Sequence, residues 1–217
     1  MSEEASETMS ETMSETMSEE MSETRRSDNS QEMFPLVDEA GNVVGAATRG
    51  ECHGGSLLLH PVVHLHVFRS TGELFLQRRP LWKDIQPGMW DTSVGGHIDL
   101  GEDVATALRR EAREELGMTD FTPRRLMQYV FRSARERELV FVHATTYDLP
   151  LHPSDELDGG RWWSTDDIRA HLGRGLFTPN FEGEILQVLE AMGKGAGDEG
   201  GQAAATDGKA ADTRSPR

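Results

Sequence analysis

Residues 96–118 read GHIDLGEDVATALRREAREELGM and follow a glycine-rich run, Val-Gly-Gly-His, at 94–97. The spacing predicts a helix over 103–116, ended by Gly117 in a left-handed cap, a conformation glycine enters without a Cβ clash. Ala105, Leu108, Ala112 and Leu116 recur at 3.6-residue spacing and are expected to pack on a sheet. Glu111, Glu114 and Glu115 stand at i, i+3 and i+4, so their carboxylates gather on an adjoining face. Like charges this close destabilise an isolated helix. They form either a solvated acidic face or a site with a use for negative charge, and the glycine loop feeding the helix favours the second.

Working outward, residues 33–38 (MFPLVD) and 43–49 (VVGAATR) flank Gly41-Asn42, and residues 62–68 (VVHLHVF) and 74–78 (LFLQR) flank Ser70-Thr71-Gly72. Both read as hairpins. Strands are expected at 125–132 and 139–147, with a short one at 161–163. Ser164 or Thr165 can cap a helix over 166–172, and residues 182–192 carry Ile185, Leu186, Leu189 and Met192 as a helical stripe. The order of elements gives an α+β class, a mixed β-sheet sandwiched between helices.

The ends of the 217-residue chain differ from its middle. Residues 1–30 are an acidic low-complexity tail built on a Ser-Glu-Thr-Met tetrapeptide, and residues 194–217 hold no aromatic or branched aliphatic side chain. Neither can bury enough apolar surface to offset its ordering entropy, so both are expected to be disordered around one domain at 31–193. The formal charge is −16, and residues 31–193 alone hold 25 acids against 16 bases. That sign opposes a nucleic-acid partner, whose phosphates need a basic stripe, and suits divalent cations held by carboxylates. Cys52 is the only cysteine, which excludes an internal disulfide and a Cys-rich zinc site. The acidic start and the short apolar runs lead to the expectation of a cytoplasmic protein with no membrane partner.

Position by position, the opening stretch holds Gly96, five residues, Glu102, seven residues, Arg110-Glu111, the small Ala112, one residue, Glu114-Glu115, one residue, Gly117 and aliphatic Met118. Every fixed position of the Nudix box is met, so the domain resembles the Nudix superfamily. The resemblance implies a loop-helix-loop on a mixed sheet that binds Mg²⁺ or Mn²⁺ through Glu111, Glu114 and Glu115. It also implies Glu111 and Glu115 as catalytic residues, Glu111 being the candidate base, and Glu102 with Arg110 as a structural ion pair. Such ions take hard oxygen ligands and neutralise phosphate charge as water attacks phosphorus in line. Gly95 and Gly96 let the backbone approach a phosphate closely.

Residues 49–117 further resemble, without a gap, type 1 isopentenyl-diphosphate isomerase, a Nudix-fold enzyme that moves a double bond by proton transfer. That resemblance implies a second metal site at His53, His60, His97, Glu136 and Glu138, and diphosphate binding by Arg49, Arg79 and Lys83. The isomerase chemistry does not carry over: that family's cysteine falls at Gly95, one of its diphosphate-binding arginines at Glu111 and its tryptophan at Asn180. Three signals stay open. Trp82 and Trp90 belong to the site or to packing; Arg132, Arg135 and Arg137 meet phosphates or answer nearby acids; His64 and His66 share a sheet face or take part in catalysis. The leading expectation is a Mg²⁺- or Mn²⁺-dependent Nudix hydrolase of the isomerase-like branch, cleaving a diphosphate linkage in a nucleotide or other organic diphosphate. The alternatives are the isomerase itself and a non-catalytic, nucleotide-sensing Nudix domain.

Overall fold

A computed structural model describes residues 29–195. In chain order they form β1 (Met33–Val37), β2 (Val43–Thr48), α1 (Arg49–His53), β3 (Leu59–Phe68), β4 (Leu74–Arg78), β5 (Trp90–Asp91), β6 (Val94–His97), α2 (Val104–Leu116), β7 (Arg124–Arg132), β8 (Arg137–Thr146), β9 (Gly160–Trp163), α3 (Thr165–His171) and α4 (Pro179–Gly195). Ser30 is tied in by its carbonyl, which accepts the Gly50 amide at 2.9 Å. Of the low-complexity tails expected at 1–30 and 194–217, residues 194–195 belong to the end of α4 and residues 29–30 are described, while 1–28 and 196–217 lie outside the described residues. Among the described residues no helix is long and apolar enough to cross a membrane.

β3 is buried at all 10 of its residues because it is paired on both edges. β8 runs parallel to it from Leu59↔Arg137 to Phe68↔Thr146, and β6 runs antiparallel on the other side from Val62↔His97 to Leu65↔Val94. The mixed sheet of seven strands follows the order β5-β4-β3-β8-β7, with β6 on β3 and β9 on β4. Alternation along β3 sorts its side chains between two cores. Val63, Leu65 and Val67 pack with Ala107, Leu108, Ala112 and Leu116 of α2. Val62 and Phe68 pack with Ile168 of α3 and with Phe181, Ile185 and Val188 of α4. The sheet is therefore sandwiched between helices, as the α+β reading expects.

The C-terminal end of α2 follows its sequence signal, and its start falls at Val104, one residue later than expected. Asp103 caps the start by accepting the Thr106 amide at 2.8 Å, and Gly117 closes the end at φ 67°. Four local expectations are corrected. Ala105 is exposed and Ala107 is buried in its place, because α2 is rotated so that Glu111 and Glu115 lie on its inward side. The run at 94–97 is strand β6 rather than a loop, held by its pairing with β3. β3 and β4 pair only at Phe68↔Leu74, since β6 occupies that edge of β3 and β4 turns to β9 and β5. Arg49 opens α1 instead of closing β2, where Thr48 and Glu51 form a reciprocal capping box.

Leu116 is fully buried where α2 meets the sheet. Leu116→Ala is expected to lower unfolding free energy by about 2–5 kcal/mol, measured by urea denaturation. A loss under about 1 kcal/mol would contradict the seating of α2 described above.

Candidate active site

Where β6 leads into α2, a cavity of about 480 Å³ opens. Its wall includes the cations Arg49, Arg79 and Lys83, the acids Glu111, Glu114, Glu115, Glu136 and Glu138, and His53, His97, Gly95 and Gly96. Thus most of the residues singled out in the sequence converge on one space. His60 stands fully buried behind the wall, and Glu102 lies outside it on Arg110.

Arg110 ties the loop to the helix. Its guanidinium donates twice to Glu102, at 3.0 and 2.8 Å, and once to the His97 carbonyl at 3.0 Å. The same group donates to Glu111 at 2.8 Å and to Glu114 at 3.2 Å, so it also neutralises two of the helix acids. Glu115 turns the other way and accepts from the Gly95 amide at 3.1 Å and from Gln77 at 3.2 Å. The three helix carboxylates are therefore not drawn to one point. Burial pushes the Glu111 carboxyl up to about 7 despite Arg110. Burial, with the neighbouring Glu111 charge, raises Glu115 well above the carboxylate range. Gly96 is what makes room: a Cβ at that position would overlap the Glu111 carboxyl.

The second set is compact. Ligand atoms of His53, His60, His97 and Glu138 all lie within 4.8 Å of one another, and Glu136 comes to 3.9 Å from His53 Nε2. His60 Nδ1 is fixed on the Leu58 carbonyl at 3.0 Å, while its Nε2 is buried with no hydrogen-bond partner. Burial lowers His60 and His97 below the usual imidazole range, which favours neutral rings, and His97 Nε2 lies 3.1 Å from His53 Nε2. Burial pushes Glu136 up to about 8. An orphaned ring nitrogen among desolvated carboxyls is the condition that a bound cation relieves.

The sequence reading missed Glu184 and Tyr129. Glu184, fully buried on α4, accepts from His64 Nδ1 at 2.9 Å, from His66 Nε2 at 2.7 Å and from the Tyr129 hydroxyl at 2.8 Å. Burial opposes both charges, yet the pairing outweighs it, holding the Glu184 carboxyl at about 2 and the His64 imidazole at about 9. One signal was available: an acid at 184 within the apolar stripe of Phe181, Ile185 and Val188. Asn180, where the isomerase resemblance expects tryptophan, donates to Glu138 at 2.8 Å.

The open signals resolve unequally. Trp82 lines the cavity with the Lys83 ammonium 4.7 Å over its ring, whereas Trp90 packs edge-on against Trp163 at 5.3 Å. Arg135 donates to the Asp84 carbonyl and Arg137 pairs with Glu39, and neither they nor Arg132 line the cavity. Cys52 is buried with Phe34 and Ala47 outside the cavity wall, and burial pushes its thiol up to about 11.

The NUDIX domain model matches residues 58–181, more than half of the chain. The chain belongs to the NUDIX family. Among curated relatives, an isopentenyl-diphosphate Δ-isomerase of Agromyces mediolanus is 33% identical over 138 residues, covering 60% of this chain and 67% of that one. An uncharacterized Nudix hydrolase of Pseudomonas aeruginosa is also 33% identical over 138 residues, covering 63% and 81%. Among solved structures, DR0079 of Deinococcus radiodurans superposes with a TM-score of 0.61 at 27% identity, over 73% of this chain and 98% of that one.

Two outcomes follow for this NUDIX domain. Gly96→Ala is expected to cost about 1–3 kcal/mol of stability through overpacking, and much less when Glu111→Ala is already present. Equal costs in both backgrounds, by urea denaturation, would show that the glycine serves something other than Glu111. The Glu184 carboxyl is depressed from 4.5 to about 2, so its contribution is present above pH 4.5 and lost as pH falls toward 2. His64 is raised from 6.5 to about 9, so its contribution is present below pH 6.5 and lost as pH rises toward 9. The melting-temperature advantage of wild type over Glu184→Gln should therefore peak between about pH 4.5 and 6.5. An advantage that is flat to pH 9 would contradict a charged pair.

Proposed function

We propose that this chain is a divalent-metal-dependent hydrolase cleaving the diphosphate linkage of a nucleotide or another small organic diphosphate. The observation that carries the reading is one cavity lined by the carboxyls of Glu111 and Glu115, by the cations Arg49, Arg79 and Lys83, and by side-chain-free Gly95 and Gly96.

The donors at Glu111, Glu114 and Glu115 are all oxygen and suit Mg²⁺ or Mn²⁺, whereas the group of His53, His60, His97 and Glu138 is mostly nitrogen, with His60 Nε2 unpartnered, and suits Mn²⁺ better than Mg²⁺. Glu111, Glu114 and Glu115 would hold one ion, and His53, His60, His97, Glu136 and Glu138 a second. When bound, such an ion supplies charge neutralisation at phosphate and a more acidic water. The remaining work belongs to the chain. Arg49, Arg79 and Lys83 bind and orient the diphosphate, and the backbone at Gly95 and Gly96 lets it approach. Glu111 is the candidate base that takes a proton from the attacking water. Arg110 holds that carboxylate from its outer side at 2.8 Å.

One observation favours isomerisation instead, the compact His53, His60, His97 and Glu138 group, and some relatives carry that name. Allylic isomerisation needs two proton-transfer groups, and Gly95 offers none where the resembling enzymes keep a thiol. Cys52 is no substitute, being buried in a separate cluster. A sensing domain without turnover would have no use for so complete a set of carboxylates.

Phosphorus NMR of the protein with Mg²⁺ or Mn²⁺ and a panel of nucleoside diphosphates, nucleotide sugars, dinucleotides and isopentenyl diphosphate tests the reading. Cleavage of at least one member is expected, with Glu115→Gln slowing it at least about 100-fold. Full turnover by Glu115→Gln would sink it, and an allylic product with an intact diphosphate would replace it.

A further inference from the structure

The β3–β6 ladder sets Gly95 opposite His64, and both line the cavity. A Cβ at 95 would stand 3.6 Å from His64 Cδ2 and 3.8 Å from its Nε2, so the missing side chain leaves that edge of the imidazole uncovered. The other ring nitrogen, Nδ1, is held by Glu184 at 2.9 Å. His66 differs from its neighbour two residues away. It is fully buried, and its contacts to Glu184 and Thr92 are all internal, so it serves to dock α4 on the sheet. His64 spends one nitrogen on that docking, and its Nε2 makes no hydrogen bond to any described residue. Glu184 keeps the ring protonated at neutral pH, with Asp91 and Glu138 adding negative charge around it. A fixed cation with one N–H left over, in a wall shared with Arg79 and Lys83, has an anion as its complement.

We propose that His64 is a further substrate-binding residue, its Nε2–H donating to a non-bridging phosphate oxygen through the opening left by Gly95, with Glu184 and Tyr129 as positioning residues. The inference rests on the diphosphate reading of the cavity. It adds a phosphate contact from the sheet face, beside those from Arg49, Arg79 and Lys83. It also gives Gly95 a role apart from that of Gly96: position 96 makes room for Glu111, position 95 for the ligand.

The test uses the full chain, Mg²⁺ and methylenediphosphonate, a diphosphate analogue that resists hydrolysis, with affinities from titration calorimetry. Gly95→Ala fits the fold, since its nearest contact would be Thr92 at 3.5 Å, and it retains the amide that Glu115 accepts. Gly95→Ala and His64→Gln are each expected to weaken binding about 10- to 100-fold, and the double variant no further than the weaker single. On the wild-type protein, the His64 Nε2–H resonance in nitrogen-15 NMR is expected to shift on saturation, which needs no variant to fold. Unchanged affinity in both single variants, additive losses in the double, or an unmoved resonance while wild type binds would overturn the His64 contact and leave the diphosphate reading standing. No binding to wild type would overturn both.

Discussion

A strand with no water on either face can carry a polar side chain only where another element brings its partner. β3 is such a strand, and its sequence places His60, His64 and His66 on one face. His64 and His66 are answered from elsewhere in the chain, while His60 keeps Nδ1 on the Leu58 carbonyl and its Nε2 has no hydrogen-bond partner. The parallel register sets Glu138 beside His60, and α4 delivers Glu184 to His64 and His66. The choice of polar residues in the most buried strand thereby fixes the pairing of β8 and the seat of α4. The same face becomes the floor of the cavity.

The other face shows how a helix can be bound to a sheet through its acids. α2 packs Leu108, Ala112 and Leu116 into the core, and the rotation that achieves this carries Glu111 and Glu115 inward with them. Desolvation of two neighbouring carboxyls opposes folding, and Arg110 offsets only part of it, because Glu115 lies beyond its reach and leans on Gly95 and Gln77. The protein without ligand thus holds acids pushed toward neutrality in a cavity lined with cations. On the proposed reading, the stability given up there is what a hard cation and a phosphate would restore.

How much of this could be read in the chain depends on distance along it. The helix, its Gly117 cap and the spacing of Glu111, Glu114 and Glu115 are local patterns within 23 residues and are legible. The group of His53, His60, His97 and Glu138 was legible only through resemblance, since nothing local joins His53 to Glu138. The Glu184 cluster spans 120 residues between His64 and its partner, and no spacing rule reaches that far. Ala105 misled because an apolar stripe was assumed to exclude acids. The loop assigned at 94–97 misled because two glycines suggest flexibility, whereas strand pairing can need them for space.

Those two glycines separate what a shared scaffold can do. Gly96 faces α2, and any side chain there displaces Glu111, so the position belongs to the machinery of the helix. Gly95 faces the opposite way, toward His64, where a Cβ would touch Thr92 at 3.5 Å and the imidazole edge at 3.6 Å. The resemblance to the isomerase puts that enzyme's cysteine at this position. A thiol there would supply a proton-transfer group and at the same time cover His64, so one substitution would place a proton-transfer group over the imidazole at the same wall. Glu111, standing where the resembling enzymes keep a diphosphate-binding arginine, makes a second change on the helix, replacing a fixed positive charge with a carboxyl. On the proposed reading, the cavity with Gly95 would present His64, Arg79 and Lys83 to an anion, and with Glu111 it would present a base to water. Both differences favour attack on phosphorus over proton transfer at carbon.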